Sequence, residues 1–528
     1  MTISIEQVSQ HNSKTDCWII FHSKVYDITN FVSKHPGGAK ILMKLAGKDG
    51  SAQFDKFHTL DIMKSYIYEK LIIEVGSLDD SAAEAAVAEA TIRAKEEAQQ
   101  EASVINKYEP QRISNLKNKP PLDQIMNLYD FEYVANKTLE PVARNYYSSG
   151  VDDEITVREN HFAYKRIFFN PRVLIDVTEC DISTNLLGHN TSAPFYVSST
   201  AMQKYAHPEG EKVFAHGCSR ENIVQMVPCL SSYPFEEISK EIKPGTPFWF
   251  QLYPSAHDGL NEEIIRKVEA AGCTGIFITV DNVYGGNREK DRRVKAIMGH
   301  LIELEKNKGS ISKDDMDRLY MVSSAKSEDQ EETKDDDSAL GRRAVTWLTW
   351  EKMRHLKSIT KMKFYLKGIQ SIPDARLAVE NGMDGIVLSN HGGRQAEYSK
   401  STIEVLYDLN QAGITTQIDV FIDGGVRRGT DILKALCLGA KAVGLGRGLL
   451  YPVATYGEAG LVRAIQMLKE EMVTTMRNIG VRNLNELNEE LIDTINLKSR
   501  GSNFGYSEDL YNRASLPLLP PNFGNVKL

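Results

Sequence analysis

The sequence predicts an α/β protein in which a large (β/α)8 barrel follows a small α+β domain. Eight short runs between residues 195 and 447 are almost continuously apolar, as strands buried on both faces should be. The first four are centred near residues 197, 224, 250 and 278, and this spacing matches the length of a βα unit. The segments between the runs have helical apolar periodicity and end in glycine. A doubly wound parallel sheet is the alternative. The predicted strands are Phe195–Thr200, Ile223–Pro228, Phe248–Tyr253, Gly275–Asp281, Phe364–Ile369, Gly385–His391, Val420–Gly425 and Ala442–Arg447.

The composition is that of an ordinary globular protein. Of 528 residues, 41% are hydrophobic and 25% are charged, which argues against overall disorder. A formal net charge of −8 is unfavourable for binding phosphates, so we expect no nucleic-acid binding. No apolar run approaches the ~18 residues of a membrane span. The six cysteines include no Cys-x-x-Cys pair, which argues against a thiolate zinc site and a disulfide framework.

Composition also divides the chain into regions. Residues 1–76 combine alternating apolar pieces with short helical ones and form the small domain. Residues 77–107 are rich in Ala and Glu without a strong apolar face, which predicts an exposed helical spacer or hinge. The barrel unit covers residues 108–500, and residues 501–528 form a C-terminal tail. A long inserted loop at 282–347 interrupts the barrel, and such a connection is typical of a mobile lid or a disordered insertion.

Polar and ionisable residues recur where the predicted strands end, which is where barrel active sites lie. Helix capping would explain one or two of these residues but not the whole set. His391 could act as a base oriented by Asp281, and Arg394 could bind a carboxylate through both arms of its guanidinium. This combination suits proton abstraction from, or hydride removal at, a carbon that bears a hydroxyl beside a carboxylate.

The last two predicted strands are followed by a candidate phosphate site. Gly424, Gly425 and Gly429 permit close backbone approach, and Gly446-Arg447 adds a guanidinium at the next strand end. Barrels bind phosphates after strands seven and eight. A dinucleotide fingerprint is only weakly indicated, because Leu449 occupies the position of its third glycine.

At these residues the sequence resembles the FMN-dependent α-hydroxy acid oxidase/dehydrogenase family, whose fold is an FMN-binding TIM barrel. The resemblance covers roughly residues 120–500 and rests on SNHGGRQ and on DGGVRRGTDILKALCLGAKAVGLGR. It implies that His391 is the catalytic base, activated by Asp281. It implies further catalytic roles for Tyr253 and for Lys367, a fixed cation that would stabilise an anionic reduced flavin.

The resemblance also implies two sets of binding residues. Substrate would be bound by Tyr146, Tyr253, Arg394, Arg288, Ala201 and Leu230. FMN would be bound by Ser199, Thr200, Ala201, Gln251, Thr279, Lys367, Asp423, Gly424, Gly425, Val426, Arg427, Gly446 and Arg447.

One position departs from the family pattern. Where the family usually places a Ser or Thr near the flavin, this sequence has Pro228, so a hydroxyl contact to the flavin would be absent. Beside it, Leu230 and Ala201 would flank the substrate side chain. They predict a small apolar pocket, suited to a methyl group.

The first 76 residues resemble the cytochrome b5 module. The motif His35-Pro-Gly-Gly is followed by a second histidine, His58. The resemblance implies that these two residues are the axial ligands of haem b. Such a haem has no open coordination position, which suits electron transfer rather than oxygen chemistry.

The combination of haem module, spacer and FMN barrel is similar to that of the flavocytochrome class of L-lactate:cytochrome c oxidoreductases. It implies that L-lactate is oxidised to pyruvate at FMN and that haem b passes the electrons singly to cytochrome c. The alternative is a 2-hydroxy acid oxidase that reduces oxygen. A third, non-enzymatic hypothesis is an electron carrier with an inactive barrel. The resemblance also implies a homotetramer in the mitochondrial intermembrane space, although no presequence is visible, so a cytoplasmic location is the alternative.

Overall fold

The computed structural model describes residues 2–35, 39–55, 60–78, isolated helical residues between 88 and 107, and residues 109–306 and 348–500. These residues form two compact units. The first contains the described residues up to Pro110 together with Ser255–Leu260 and those from Arg292 onward in the inserted segment, and the second contains the other described residues from Gln111 onward. Within the described ranges, no helix is both long and apolar enough to cross a bilayer.

The first unit is a small four-stranded sheet with short helices. Its strands pair antiparallel in the order β1-β2-β3-β4, and Ser4 caps the first helix through a reciprocal capping box with Gln7. Phe31, Leu42 and Met63 are among the buried residues of its core. The elements are α1 Ile5–Gln10, β1 Asn12–Ser13, β2 Asp16–Phe21, β3 Lys24–Asp27, α2 Ala39–Met43, α3 Ser51–Phe54, α4 Leu60–Tyr68 and β4 Ile73–Ser77.

The second unit is a closed barrel of eight parallel strands, so the predicted fold is confirmed and the doubly wound alternative is wrong. The strands follow one another around the barrel in the order β8 to β15, and β15 pairs with β8 to close it. Each predicted apolar run overlaps one of these strands, and β12 and β14 begin one residue before the predicted run. The strands are β8 Phe195–Val197, β9 Val224–Pro228, β10 Phe248–Leu252, β11 Gly275–Thr279, β12 Lys363–Ile369, β13 Gly385–Leu388, β14 Asp419–Asp423 and β15 Ala442–Leu445.

The remaining helices and short strands lie before, between and after the barrel strands along the chain. The helices are α5 Pro110–Lys117, α6 Leu128–Thr138, α7 Pro141–Ser148, α8 Ile155–Phe162, α9 Glu211–Glu221, α10 Phe235–Glu241, α11 Asp258–Ala270, α12 Glu289–Lys306, α13 Trp350–Ser358, α14 Ile372–Glu380, α15 Thr402–Gln411, α16 Gly429–Cys437 and α17 Arg447–Asn478, the last broken at Gly457. The short strands are β5 Phe168–Phe169, β6 Thr184–Leu186, β7 His189–Thr191 and β16 Ile492–Asp493.

Most of the predicted strands are too long at their carboxyl ends. Asp281, His391 and Arg447 lie beyond the strands to which they were assigned. The backbone turns away from the sheet there, with φ of 57° at His391 and 104° and 81° at Gly424 and Gly425. These left-handed conformations end strand pairing and direct the following side chains across the barrel mouth.

A layer of aromatic rings fills the barrel directly below its carboxyl end. Trp249 lies 4.9 Å from Phe277 and 5.5 Å from Phe421, measured between ring centroids. Since side chains alternate along a strand, residues two positions further on also face inward. The aromatic layer therefore places Gln251, Thr279, Lys367 and Asp423 at the floor of the barrel mouth.

Several predicted regions fall wholly or partly outside the described residues. The tail 501–528 lies entirely outside them, as do residues 307–347 of the predicted insertion. Helix α12 occupies the earlier part of that insertion, and its helical pattern was missed by the prediction. Strand β4 continues to Ser77, one residue past the predicted end of the small domain, and the domain boundaries stay a prediction.

Candidate active site

Side chains from three strand ends meet at the barrel mouth, with an imidazole between a carboxylate and a phenol. Asp281 follows β11, and its Oδ1 lies 3.0 Å from Nδ1 of His391, which follows β13. The hydroxyl of Tyr253, which follows β10, lies 3.3 Å from the Nε2 of His391. Gly368 makes this arrangement possible, because a Cβ there would lie 2.5 Å from that of Asp281. The structure therefore brings these three predicted residues together.

The electrostatics of this group favour a charged carboxylate and a neutral phenol. Burial raises the pKa of Asp281, but His391 and the Lys367 ammonium outweigh burial and bring it below its usual value. Burial raises the pKa of Tyr253 well above its usual value, so its hydroxyl remains protonated and can donate. A carboxylate accepting from Nδ1–H leaves the Nε2 lone pair of His391 facing Tyr253.

Lys367 is a buried cation on the floor of the mouth. Its ammonium lies 3.1 Å from Asp423 Oδ2 and donates to Ser389 Oγ at 3.0 Å. Burial lowers its pKa, but the Asp423 and Asp281 carboxylates raise it above the usual value. Lys367 therefore carries a fixed positive charge among buried groups. Ser389 was not predicted, although it lies inside the SNHGGRQ motif.

A second cationic group lies around Tyr146. The guanidinium carbon of Arg394 lies 5.1 Å from the centre of the Tyr146 ring, and that of Arg288 lies 5.7 Å from it. Arg394 also donates from Nη1 to the Tyr146 carbonyl at 2.6 Å. Burial, and then the charge of Arg288, lower the pKa of Arg394 to about 10, so it stays cationic at neutral pH. These three predicted residues are thus neighbours.

Gln251 and Thr279 form a buried polar pair at the floor of the barrel mouth. Gln251 donates from Nε2 to Thr279 Oγ1 at 2.9 Å, and the Cys229 thiol lies 3.9 Å from Gln251 Oε1. Burial raises the pKa of Cys229 to about 12, so it remains a neutral thiol that can donate. Pro228 is the last residue of β9, next to Gln251 in the sheet, and supplies neither a hydroxyl nor an N–H.

Gly424 and Gly425 after β14 have positive φ, and the arginines of the loops after β14 and β15 have protein partners. The Arg427 guanidinium is buried and donates to Glu132 Oε2 at 2.9 Å. The Arg447 guanidinium donates to three backbone carbonyls, those of Tyr147, Ser149 and Gly392. These contacts anchor the loops, and the predicted contacts of both arginines with FMN stay predictions.

The loops after β8 and β9 place the remaining predicted residues. Ser199, Thr200 and Ala201 follow β8 directly, and Leu230 follows β9 by two positions. The Met202 N–H donates to the Leu230 carbonyl at 3.0 Å, so the loops that carry Ala201 and Leu230 are joined.

The histidine loop is held by a pair of asparagines that was not predicted, although one of them, Asn390, lies inside the SNHGGRQ motif. Asn160 on α8 forms a reciprocal amide pair with Asn390, each Nδ2 donating to the other Oδ1 at 2.7 Å. Asn390 Oδ1 also accepts from the Gly393 N–H at 3.0 Å. This pair supports the left-handed turn at His391. Asn160 lies 230 residues away in sequence, which explains why no local pattern points to it.

The first predicted haem ligand, His35, lies beside the core of the first unit. Its ring is half-buried and packs edge-on against Phe31 with centroids 5.7 Å apart, and Phe31 packs on Tyr66 at 4.3 Å. An imidazole bordered by apolar aromatic rings fits an axial haem ligand. The second predicted ligand, His58, lies outside the described residues.

Family profiles match both units. The profile of FMN-dependent dehydrogenases matches residues 135–494. This chain belongs to the FMN-dependent dehydrogenase family. The profile of the cytochrome b5-like heme/steroid binding domain matches residues 4–78.

Individual relatives agree with this assignment. The chain is 43% identical to L-lactate dehydrogenase (cytochrome) from Wickerhamomyces anomalus over 501 residues, which is 94% of this chain and 80% of that protein. It is 40% identical to the protein of the same name from Saccharomyces cerevisiae, with the same two coverages. Glycolate oxidase from Spinacia oleracea is 37% identical over 69% of this chain and 94% of its own length.

Solved structures show the same relationship. A flavocytochrome b2 variant with pyruvate bound matches with a TM-score of 0.63 and 40% identity, over 75% of this chain and 93% of that chain. The recombinant flavin-binding domain of baker's yeast flavocytochrome b2 matches with a TM-score of 0.64 and 40% identity, over 74% and 92%. Mandelate oxidase with (S)-2-phenylpropionate matches with a TM-score of 0.58 and 29% identity, over 70% and 98%.

The residues of this family member fit the FMN that the family name specifies. Lys367 supplies a buried cation, and Gln251 and Thr279 supply a buried amide and hydroxyl, which are groups that can bind the polar edge of a flavin. Gly446 immediately precedes the first turn of α17, where free backbone N–H groups of a helix start are able to bind a phosphate. The donor set therefore matches both ends of the cofactor.

Proposed function

We propose that this chain oxidises L-lactate, or a similar short 2-hydroxy acid, to the 2-oxo acid at FMN and passes the electrons through haem b to cytochrome c. The observation that carries the proposal is the group of Asp281, His391 and Tyr253 beside the buried Lys367 ammonium. The relatives described as L-lactate dehydrogenase (cytochrome) support it, because their similarity covers 94% of this chain.

The substrate carboxylate would be bound by Arg394 together with Tyr146. The Arg394 guanidinium is held by the Tyr146 carbonyl, and its planar fork matches the two carboxylate oxygens. Arg288 adds positive charge on the same aromatic ring. Two cations around a half-buried tyrosine favour an anionic substrate over an uncharged alcohol.

The substrate hydroxyl carbon would then lie near His391. Oxidation of an alcohol to a ketone removes two electrons and two protons from the substrate, and Nε2 of His391 is placed to hold one of those protons. Asp281 accepts the Nδ1–H and balances the positive charge that this protonation creates. Tyr253, which stays protonated, donates a hydrogen bond to the substrate oxygen and orients it.

FMN supplies the two-electron acceptor chemistry when it is bound. Gln251, Thr279 and Lys367 would hold the ring, and Lys367 supplies positive charge where the ring gains electrons. The glycines after β14 and the amino end of α17 would hold the phosphate. Asp423 keeps Lys367 in place through its 3.1 Å ion pair.

The size of the substrate side chain would be set by Ala201 and Leu230. These two apolar residues lie on loops that are joined by the Met202–Leu230 hydrogen bond. As walls of the proposed pocket they would suit a small apolar group such as a methyl. This feature favours L-lactate over larger 2-hydroxy acids.

The cytochrome b5-like unit favours haem-mediated electron transfer. His35 would supply one axial ligand, and His58 is proposed as the other. A haem held by these two histidines would supply one-electron transfer chemistry rather than oxygen binding. Cytochrome c is the proposed acceptor because the two relatives that match 94% of the chain carry cytochrome in their names.

The second candidate is a 2-hydroxy acid oxidase that reduces oxygen to hydrogen peroxide. The 37% identity to glycolate oxidase over 69% of the chain favours it. Turnover with L-lactate in air, with cytochrome c present, separates the two candidates. We expect reduced cytochrome c in proportion to pyruvate and little peroxide, whereas peroxide in proportion to pyruvate would contradict the proposed acceptor.

Assembly and compartment are proposals that come from the family resemblance. We propose a homotetramer, which light scattering would report as about four times the chain mass of 59.2 kDa. We propose the mitochondrial intermembrane space as the compartment. Fractionation of cells that produce the chain would contradict this if the protein is recovered with the cytoplasm.

A further inference from the structure

Hydrogen bonds join the loop after β8 to the loop after β9. The Met202 N–H donates to the Leu230 carbonyl at 3.0 Å. The Lys204 N–H donates to Ser232 Oγ, also at 3.0 Å. The distance between Ala201 and Leu230 therefore depends on how these two loops are held together.

Glu211 is the group that bridges them. It is the first residue of α9 and is fully buried. Its Oε1 accepts the N–H of Gln203, from the loop after β8, at 3.1 Å, and the N–H of Ser232, from the loop after β9, at 2.9 Å. One oxygen atom thus fixes the backbone of both loops.

The Glu211 carboxylate is buried, which is unusual for a residue that would only stabilise the start of a helix. Its other oxygen, Oε2, is buried and has no hydrogen-bond partner within the described ranges. A buried carboxylate carries a desolvation cost, and N–H donors from two loops offset part of it because hydrogen bonds to charged acceptors are strong. Its negative charge at the first position of α9 is also favoured by the helix dipole.

We propose that Glu211 is a positioning residue that sets the width of the substrate side-chain pocket by holding the loops of Ala201 and Leu230 together. The inference rests on the proposed function, since that pocket selects among 2-hydroxy acids. Without the carboxylate, each loop loses a backbone hydrogen bond, and the two sides of the pocket can move apart. A wider pocket discriminates less between a methyl group and a longer alkyl chain.

The test compares selectivity in the FMN- and haem-loaded chain. Glu211→Ala removes both hydrogen bonds, whereas Glu211→Gln keeps an oxygen that can accept them. Glu221→Ala is the matched control, because Glu221 ends the same helix and pairs instead with Lys469 at 2.8 Å. The measured quantity is the ratio of kcat/KM for L-lactate to kcat/KM for L-2-hydroxyoctanoate.

We expect the ratio to fall by about fivefold or more in Glu211→Ala and to change by less than about twofold in Glu211→Gln and Glu221→Ala. An unchanged ratio in Glu211→Ala would overturn the inference, because a merely structural role lowers both kcat/KM values together. If Glu211→Ala does not fold, Glu211→Asp replaces it, since the shorter arm cannot reach both N–H groups. An unchanged ratio in Glu211→Asp would also overturn the inference.

Failure of the proposed function would be recognised separately. A wild-type chain that oxidises neither acid contradicts the proposed function. In that case the dissociation constants of pyruvate and of 2-oxooctanoate are measured by titration, with the flavin absorbance as the signal. The ratio of the two dissociation constants should still shift about fivefold in Glu211→Ala, and no shift would overturn the role of Glu211.

Discussion

Replacing Asp281 by Asn removes the charge that supports the base while keeping the size of the side chain. The carboxylate lies 3.0 Å from Nδ1 of His391, and its second oxygen is buried without a hydrogen-bond partner in the described part of the chain. An Asn amide can present its NH2 to Nδ1, which favours the tautomer that carries the proton on Nε2. In that tautomer Nε2 cannot accept a proton from substrate.

The structure sets the size of the expected effect. A hydrogen bond to a charged group contributes about 1.5–3 kcal/mol, and about 1.36 kcal/mol corresponds to a tenfold change in rate. Asp281→Asn should therefore lower kcat about 13- to 160-fold. KM for L-lactate should change less, because the proposed carboxylate site at Arg394 and Tyr146 does not include Asp281.

The assay is the anaerobic rate of flavin reduction by L-lactate in Asp281→Asn, His391→Gln and the double variant. His391→Gln should lower the rate to a small residual value while both cofactors stay bound, and the double variant should have the same residual rate, since the carboxylate acts through the imidazole. Asp419→Asn is the control, because Asp419 begins β14 and accepts instead from the Tyr365 hydroxyl at 2.7 Å. A loss below about threefold in Asp281→Asn, or multiplicative losses in the double variant, would refute the reasoning.

Three further outcomes are expected. Lys367→Met leaves the buried Asp423 carboxylate without its cation and should lower the free energy of unfolding by about 3–5 kcal/mol, as measured by denaturant titration; an unchanged midpoint would contradict the assigned ion pair. Arg394→Lys replaces the guanidinium fork by a single ammonium and should raise KM for L-lactate by about tenfold or more, so an unchanged KM in steady-state assays would count against the carboxylate site. The pKa of Asp281 is lowered below its usual 3.8, so its contribution is present above that value and is lost only as the pH falls through the lowered pKa. The kcat/KM profile should therefore show no loss from this carboxylate between about pH 5 and pH 7, and a loss in that range that disappears in Asp281→Asn would show that its pKa is raised instead.

The barrel and the floor of its mouth could be predicted because both depend on local patterns. Buried parallel strands leave apolar runs at βα spacing, and inward-facing positions repeat every two residues along a strand. Lys367 and Asp423 follow the aromatic Tyr365 and Phe421 at this spacing. The strand ends were overextended because the residues there keep a strand-like composition although the backbone has already turned.

The supporting contacts could not be predicted because their partners are distant in sequence. Asn160 meets Asn390 only after the chain has folded, and nothing in the neighbourhood of either residue indicates the pair. The same holds for Glu132, which pairs with Arg427. Glu211 is ordinary at a helix start, and only the structure shows that its carboxylate accepts from two loops.

The most direct test of the central claim is one absorbance spectrum of the purified chain, recorded anaerobically before and after L-lactate is added. The proposed chemistry at His391 and the proposed ligation by His35 and His58 together require that the flavin absorbance bleaches and that the haem bands take on the reduced form. A chain that carries both cofactors but shows neither change with L-lactate would contradict the account. Flavin bleaching without haem reduction would contradict the proposed path of the electrons.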